Sequence, residues 1–246
     1  MKVVGVYNSK GGVGKTAAAV NLAWLAAASG RRTLLWDLDP QAAATWLLRV
    51  KPKVKGGAGR LVQGKTDAAD LVRATALPGL DVLPGDASYR HLDLALDDTK
   101  DPTKRLARVL DGVKKSYDVV VLDCPPSTSL VSEGVLRAAD VLLVPLVPTP
   151  LSLRTFDQLR DLLAESGGKS PAVLAFFSLV DRRKTLHRTT VESLPHERDE
   201  VSGICVPAAS AVEQMSVRRE AVVAFAPTSP AAQAYEELWT ATQRLL

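Results

Sequence analysis

The chain has 246 residues, and its 31 Lys and Arg against 27 Asp and Glu give a formal net charge of +4. Hydrophobic residues make up 46% of it, which is ordinary for a globular protein and excludes a wholly disordered chain. Cys124 and Cys205 are too few for a disulfide scaffold or a four-cysteine metal site. Neither a run of about 18 apolar residues nor a signal peptide is visible, so we expect a cytoplasmic protein.

Short apolar runs alternate with helical stretches, which predicts one α/β domain over residues 1–246, with a mostly parallel twisted sheet flanked by helices on both faces. The predicted strands are Val3–Tyr7, Thr33–Trp36, Leu80–Leu83, Val119–Leu122, Val141–Val144 and Val173–Phe177. The predicted helices are Lys15–Ser29, Pro102–Lys115, Leu130–Ala139, Leu151–Glu165 and Pro230–Leu246. Arg49–Lys65 has little hydrophobic pattern, and we expect it to be the least ordered segment.

A glycine-rich loop, Ser9-Lys10-Gly11-Gly12-Val13-Gly14-Lys15-Thr16, follows the first strand and opens the first helix. Its glycines let the backbone curl so that several N–H groups converge on one anion, and the helix beginning at Lys15 adds the positive end of its dipole. This context predicts the phosphate-binding loop of a P-loop NTPase. We expect Lys15 to reach the β- and γ-phosphates and the Thr16 hydroxyl to bind Mg²⁺.

Carboxylates follow two of the predicted strands. Asp37 and Asp39 come at the end of the second strand, where a spacing of two puts both on one side of an extended chain. Ligands of open α/β sheets bind beyond such strand ends, and two carboxylates beside phosphates need a cation that Mg²⁺ provides. Asp123 follows the apolar run Val119–Leu122, as in a Walker B motif, and is predicted to hold a water of the Mg²⁺.

The loop resembles the deviant Walker A signature K-G-G-x-G-K-T of the ParA/MinD family of nucleotide-dependent switch ATPases, with Ser9 in place of the usual first glycine. Asp37–Gln41 is similar to that family's D-x-D-P-Q motif, and Asp123–Pro126 matches its D-x-P-P switch segment. The proline pair would stiffen a loop that reports on the γ-phosphate. Cys124 within this segment is expected to be a small buried filler.

The resemblance implies a Mg²⁺-dependent ATPase that forms a homodimer on binding ATP. In it Lys10 contacts the partner's nucleotide, Asp39 orients the attacking water, and Asp37 supports the metal through water. The implied catalytic residues are Lys10, Lys15 and Asp39, and the implied metal residues are Thr16, Asp37 and Asp123. The implied ATP-binding residues are Lys10, Gly11, Gly12, Val13, Gly14, Lys15, Thr16, Ala17 and Pro207. The loop offers lysine and no obvious arginine finger, which predicts slow turnover of ATP to ADP and phosphate.

The last third of the chain extends the resemblance. Ile204–Ala209 resembles the family's strand and proline loop beside the adenine, which implies that Pro207 borders the base. Ser178 ends a predicted strand at the position where that family contacts the base. Ala224–Tyr235 is similar to the ParA tail, so the resemblance covers nearly the whole chain.

ParA-type proteins bind DNA nonspecifically through Lys and Arg of the ATP dimer, by release of the counterions that surround the phosphates. The basic stretch 49–65 has six basic residues and no acid, whereas Ala208, Ala211 and Glu220 stand where many relatives are basic. The clusters offered as DNA contacts are Arg182, Arg183 and Lys184, and Arg218 and Arg219. The resemblance also implies a location on the nucleoid, a ParB-like or cargo-adaptor protein that stimulates hydrolysis, and a plasmid, chromosome or protein assembly as cargo. With the first strand at Val3, we expect no helix-turn-helix domain ahead of it.

Two other readings stay open. A MinD-like membrane-associated ATPase needs a basic amphipathic C-terminal helix, but Tyr235–Leu246 has two acids and one base. Its Leu238, Trp239, Leu245 and Leu246 are expected to pack on the domain, so we expect no membrane binding. A metal-carrier or electron-donor relative would use cysteines at a dimer interface, but the two cysteines form no C-x-x-C pair. The histidines, His91, His187 and His196, are expected to be surface or satisfied polar residues.

Overall fold

The computed structural model describes residues 1–165 and 170–246. Its strands form one sheet in the order β3-β4-β2-β5-β1-β6-β7-β8. The pairings are parallel except that of β3 with β4. The strands are β1 Lys2–Val6, β2 Thr33–Asp37, β3 Arg73–Ala74, β4 Leu80–Leu83, β5 Val119–Asp123, β6 Val141–Leu146, β7 Ala172–Val180 and β8 Val201–Pro207.

Helices cover both faces of this sheet. They are α1 Lys15–Ala28, α2 Ala43–Leu47, α3 Ala58–Val62, α4 Ala68–Leu71, α5 Leu92–Asp97, α6 Arg105–Asp111, α7 Leu130–Ala138, α8 Pro150–Glu165, α9 Thr185–Glu197, α10 Ser210–Arg218, α11 Val222–Phe225 and α12 Pro230–Gln243. Short 3₁₀ turns span Ala87–His91 and Pro102–Lys104. This layered α/β architecture confirms the predicted fold class.

The core lies in two layers because successive side chains of each strand point to opposite faces. Val120 and Leu122 of β5 join a cluster that includes residues of α6, α7 and α8. Val119 and Val121 of the same strand join a second cluster with residues of α1, α10 and α12. All four are fully buried, which explains why this strand is a continuous apolar run.

The structure differs from the sequence-based expectations in several places. The helix predicted over Pro102–Lys115 begins as a 3₁₀ turn and ends at Asp111. The expectation that Arg49–Lys65 is the least ordered segment was wrong in part, because it contains α3, whose Leu61 and Val62 are buried in the core. The helix lies between Gly56 and Lys65 and has only five residues, which is too few for a helical hydrophobic period to be recognised in the sequence.

Three neighbouring strands bring the predicted site residues to one edge of the sheet. In the order β2-β5-β1, Asp37 at the end of β2 is the register partner of Asp123 at the end of β5. Val6 at the end of β1 pairs with the same Asp123, and the glycine-rich loop begins shortly after it. The carboxyl ends of these strands therefore converge where open α/β sheets bind their ligands.

Candidate functional site

The glycine-rich loop connects β1 to α1 through two residues with left-handed backbone. Gly12 has φ 70° and Gly14 has φ 90°. A Cβ built on Gly14 would lie 2.7 Å from Ser178 Oγ, so both sterics and backbone angle require glycine there. The buried Asn8 anchors the start of the loop, since its Nδ2 donates to the Pro145 carbonyl (2.9 Å) and its Oδ1 accepts from the Lys10 N–H (2.9 Å). Asn8 precedes the motif and was not predicted to be a site residue.

The two lysines of the loop have different surroundings. Lys15 is buried at the first position of α1, and its Nζ donates to the Lys10 carbonyl oxygen at 2.6 Å. Burial lowers the pKa of Lys15, an effect that the nearby Asp123 opposes. Lys10 is half-buried, and its ammonium makes no hydrogen bond or ion pair within 1–165 and 170–246. One ammonium is thus folded into the loop, and the other is available to a ligand or partner.

Asp123 is the most unusual polar group of the site. It is fully buried, and neither carboxylate oxygen has a hydrogen-bond partner among the described residues. Burial and the neighbouring Asp37 raise its pKa well above the usual carboxyl range, while the Thr16 hydroxyl and Lys15 act in the opposite direction. A buried carboxylate without partners is unfavourable unless a cation or donors compensate it. Because Mg²⁺ takes carboxylate and hydroxyl oxygens together with waters, Asp123 and Thr16 fit this ion.

Asp37 is held by hydrogen bonds from its own chain. Its Oδ2 accepts from the Thr45 N–H (2.8 Å) and the Thr45 hydroxyl (2.7 Å), and its Oδ1 accepts from the Asp39 N–H (3.2 Å). Burial raises its pKa to about 6 in spite of these donors. The Thr45 hydroxyl in turn accepts from the Gly85 N–H (2.9 Å). Asp37 therefore fixes the turn that carries Asp39, and its support of a metal through water stays a prediction.

Asp39 lies in that turn and is half-buried. Its Oδ1 accepts from the Gln41 N–H (2.8 Å), and its carbonyl oxygen accepts from the Ala42 N–H (2.9 Å). A Cβ on Gly85 would lie 2.9 Å from that same carbonyl oxygen, so glycine is needed where the next loop packs on the turn. Thr45 and Gly85 are site residues that were not predicted, because neither belongs to a phosphate-binding or metal-binding sequence motif.

The predicted switch segment lies against the glycine-rich loop. A Cβ on Gly11 would be 3.8 Å from Pro126 Cβ, and the Tyr7 hydroxyl donates to the Ser127 carbonyl at 3.1 Å. Cys124 is buried, and burial raises the pKa of its thiol, which confirms it as a filler. Cys205 lies on β8, four strands away from β5 in the sheet, so the two thiols form no pair.

Ser178 does not end its strand, as the sequence had predicted, and its contact with a base stays a prediction. Strand β7 continues to Val180, and Ser178 is buried with its hydroxyl against Gly14, where it supports the loop. Pro207 ends β8 as the register partner of Val180 and lines an open surface groove with Asp181. Its contact with a base stays a prediction.

The basic cluster before α9 is exposed and partly neutralised. Arg183 pairs with Asp181 at 2.9 Å, and the guanidinium lowers the pKa of that carboxyl to about 2. Arg182 and Lys184 are exposed, and their side chains form no ion pair with the part of the chain that the structure describes. The Asp181 N–H donates to Nδ1 of the buried His187 (3.1 Å), which confirms that histidine as a satisfied polar residue.

The second basic cluster, Arg218 and Arg219, is engaged within the chain. The Arg219 guanidinium lies 3.8 Å from the centre of the Trp46 ring, and its Nε donates to the Trp46 carbonyl at 2.8 Å. Arg218 lies 4.8 Å from the centre of the Phe225 ring. Arg49 donates to the Arg218 carbonyl at 2.7 Å, so these groups fasten α2 to the end of α10. A role of either arginine in DNA binding stays a prediction.

The C-terminal helix α12 uses its apolar face inside the molecule. Leu238 and Trp239 are buried in the core, as expected, and Leu246 packs on it partly buried. Leu245 was predicted to pack as well but is 42% exposed, because the helix ends at Gln243. Within residues 1–165 and 170–246, the structure has no helix whose length and apolarity would allow it to cross a bilayer.

Comparison with known proteins places this site in a family. Residues 1–167 match a protein-family model described as an AAA domain. The chain is 29% identical over 243 residues to the sporulation initiation inhibitor protein Soj of Bacillus subtilis, covering 96% of each. It is 30% identical over 246 residues to the chromosome partitioning protein ParA of Caulobacter vibrioides, covering 97% of this chain and 92% of that one.

Solved structures agree with this result. The cobyrinic acid a,c-diamide synthase from Mycobacterium smegmatis, with bound ADP and magnesium, superposes with a TM-score of 0.82 at 25% identity. The superposition covers 99% of this chain and 94% of that one, so the likeness includes both the nucleotide-binding edge and the C-terminal third.

Proposed function

The chain belongs to the ParA/MinD superfamily of P-loop ATPases, and we propose that it is an ATP-dependent dimerisation switch that uses the nucleoid to partition or position a cargo, which is a plasmid, a chromosome or a protein assembly. Its similarity to Soj and ParA runs over almost the full length of all three chains. The observation that carries the proposal is the buried Asp123 carboxylate beside Lys15 and Thr16, whose oxygens accept no hydrogen bond from the described residues.

ATP and Mg²⁺ would bind at the glycine-rich loop. The Lys15 ammonium, which donates to the Lys10 carbonyl in the structure, would donate to a bound phosphate instead. The N–H groups of the loop would surround the same anion. Mg²⁺ held by Thr16 and Asp123 would neutralise charge on the phosphates. The similarity to a structure with bound ADP and magnesium supports this assignment.

Hydrolysis would depend on the position of Asp39. Its turn is fixed from below by Asp37 and Thr45, which leaves the carboxylate at the mouth of the site to orient a water toward the γ-phosphate. Positioning and charge neutralisation supply most of the acceleration in phosphoryl transfer, and no arginine lies in the loop. Slow turnover follows, which suits a timer of the ATP-bound state.

Dimerisation would complete the site. The Lys10 ammonium has no partner among the described residues, and it stands at the rim of the loop, ready to contact a nucleotide held by a second copy. Closure would be driven by the greater affinity of ATP for the dimer than for the open monomer. The dimer would bind DNA nonspecifically through exposed cations such as Arg182 and Lys184, which form no ion pair with the described residues. A ParB-like or cargo-adaptor protein would stimulate hydrolysis and release.

A phosphate-release assay tests the enzymatic part of the proposal. The purified chain is incubated with ATP and Mg²⁺, alone and with duplex DNA, beside the variant Lys15→Ala. We expect slow release of phosphate that is lost in the variant, because Lys15 is the buried cation of the loop. Release without Lys15, or none under any condition, contradicts the proposal.

A further inference from the structure

The positive charge of this chain is concentrated in one short segment. The basic segment, residues 49–65, has six basic residues and no acidic one, which leaves 25 of the 31 basic and all 27 acidic residues to the rest of the chain. Outside the basic segment the protein is therefore slightly acidic. Such asymmetry is typical of a surface that meets a polyanion.

Most of these cations are exposed and unpaired. They are Lys51, Lys53, Lys55, Arg60 and Lys65. None forms an ion pair with a carboxylate of the described residues. Arg49 is exposed as well, but its guanidinium donates to the Arg218 carbonyl at 2.7 Å, whereas Arg60 makes only a long contact of 3.5 Å with the Lys65 carbonyl of its own segment. The five cations other than Arg49 keep their charges for an external partner.

The backbone beneath these charges is fixed. Val54 is buried, and its N–H donates to Asp86 Oδ2 at 2.6 Å. The Ala58 N–H donates to Ser88 Oγ at 2.8 Å, so α3 is fastened to the same loop. A partner that binds here does not need to order a mobile chain, which reduces the entropic cost of association.

We propose that the basic segment is a further surface, beside Arg182 and Lys184, through which this chain binds the phosphate backbone of duplex DNA. The inference rests on the proposed use of the nucleoid. A membrane surface fits less well, because Val54 is buried and Pro52 is the one apolar side chain exposed between Lys51 and Gly57, which is too little to enter a bilayer. Counterion release, in contrast, needs only several cations close together.

The basic segment is also connected to the turn that carries Asp39. It follows α2, and the loop that holds Val54 through Asp86 is bonded to Thr45 through the adjacent Gly85 (2.9 Å). Static hydrogen bonds of Asp37, Thr45, Gly85 and Asp86 thus join the turn of Asp39 to the backbone of the basic segment.

The test compares two variants with the same loss of charge. One replaces three lysines of the basic segment (Lys51→Gln, Lys53→Gln, Lys55→Gln), and the control replaces three exposed lysines elsewhere (Lys100→Gln, Lys104→Gln, Lys115→Gln). Affinity of the full chain with ATP and Mg²⁺ for a fluorescent mixed-sequence duplex is measured between ~50 and ~200 mM salt. Thermal melting checks that both variants fold.

We expect the first variant to bind at least about tenfold more weakly at ~100 mM salt, and its salt slope to fall by about 0.9 for each lysine that contacts a phosphate. The affinity of the control variant for the duplex should stay within about threefold of that of the unchanged chain. Equal losses in both variants, or no loss in the first, overturn the inference while leaving the proposed function intact. Lysine-dependent binding to phosphatidylglycerol vesicles without binding to DNA also overturns it. An unchanged chain that binds no duplex contradicts the proposed use of the nucleoid as well.

Discussion

Thr45 links the turn that carries Asp39 to the core. Replacing Thr45 by valine removes only its hydroxyl group and so tests what that group contributes. Its hydroxyl donates to Asp37 Oδ2 (2.7 Å) and accepts from the Gly85 N–H (2.9 Å), and the side chain is fully buried. Valine has nearly the same shape but removes both hydrogen bonds. Thr45→Val therefore tests whether Asp39 depends on this support.

The structure sets the size of the effect. The variant leaves the Gly85 N–H buried without its acceptor and deprives Asp37 of one donor. Each buried polar group left unsatisfied costs about 1–3 kcal/mol, so the free energy of unfolding should fall by about 2–5 kcal/mol. The N–H groups of Asp39 and Thr45 still donate to Asp37, but its Oδ2 loses the second of its two donors and the bond to Gly85 is lost as well. A displacement of about 1 Å at a catalytic group can cost about a hundredfold in rate.

Steady-state phosphate release and ATP binding, measured well below the melting temperature, separate stability from positioning. We expect kcat of Thr45→Val to fall at least about tenfold while KM for ATP changes little, because the phosphate loop is not touched. Thr45→Ser keeps the hydroxyl and should restore most of kcat. Unchanged kcat in a destabilised Thr45→Val protein would refute the positioning role, and so would an equal loss in Thr45→Ser.

Two further variants test other parts of the structure. Gly14→Ala should weaken ATP binding at least about tenfold in an ATP titration, because it combines left-handed backbone strain of about 1–2 kcal/mol with a contact of 2.7 Å to Ser178 Oγ. Gly12→Ala has open space around its Cβ and should weaken ATP binding less. His187 accepts a hydrogen bond from Asp181, and burial lowers its pKa, so its contribution to stability is complete above the unfolded value of about 6.5 and is lost as the pH falls through the lowered folded value. The urea midpoint should therefore drop more between pH 8 and pH 5 in the unchanged chain than in His187→Asn; equal drops would disprove this assignment.

The strands and the phosphate loop were predictable because their signals are local. The apolar run Val119–Leu122 and the glycine-rich loop can each be recognised from a few consecutive residues. Edge strand β8 was harder to delimit, because it is only partly buried and its register with β7 is irregular. Helix α3 escaped notice because its apolar residues are buried by tertiary contacts from distant segments.

The supporting residues of the site could not be predicted from motifs. Thr45 and Gly85 meet only because β2 and β4 are neighbours in the sheet, which brings together loops 40 residues apart. The strand before Ser178 was predicted to end at Phe177, but β7 continues to Val180, and Ser178 lies inside it with its hydroxyl against Gly14. Likewise, the sequence does not show whether a basic side chain is available to a partner. Arg219 was predicted to contact DNA, but in the structure it is stacked on Trp46.

The molar mass of Asp39→Ala in the presence of ATP and Mg²⁺, measured by light scattering after gel filtration, tests the switch most directly. Without water activation the bound triphosphate persists, so the account predicts twice the mass of a single chain. The mass should return to that of one chain when Lys10→Ala is added to the same protein. A single-chain mass for ATP-loaded Asp39→Ala would contradict the account.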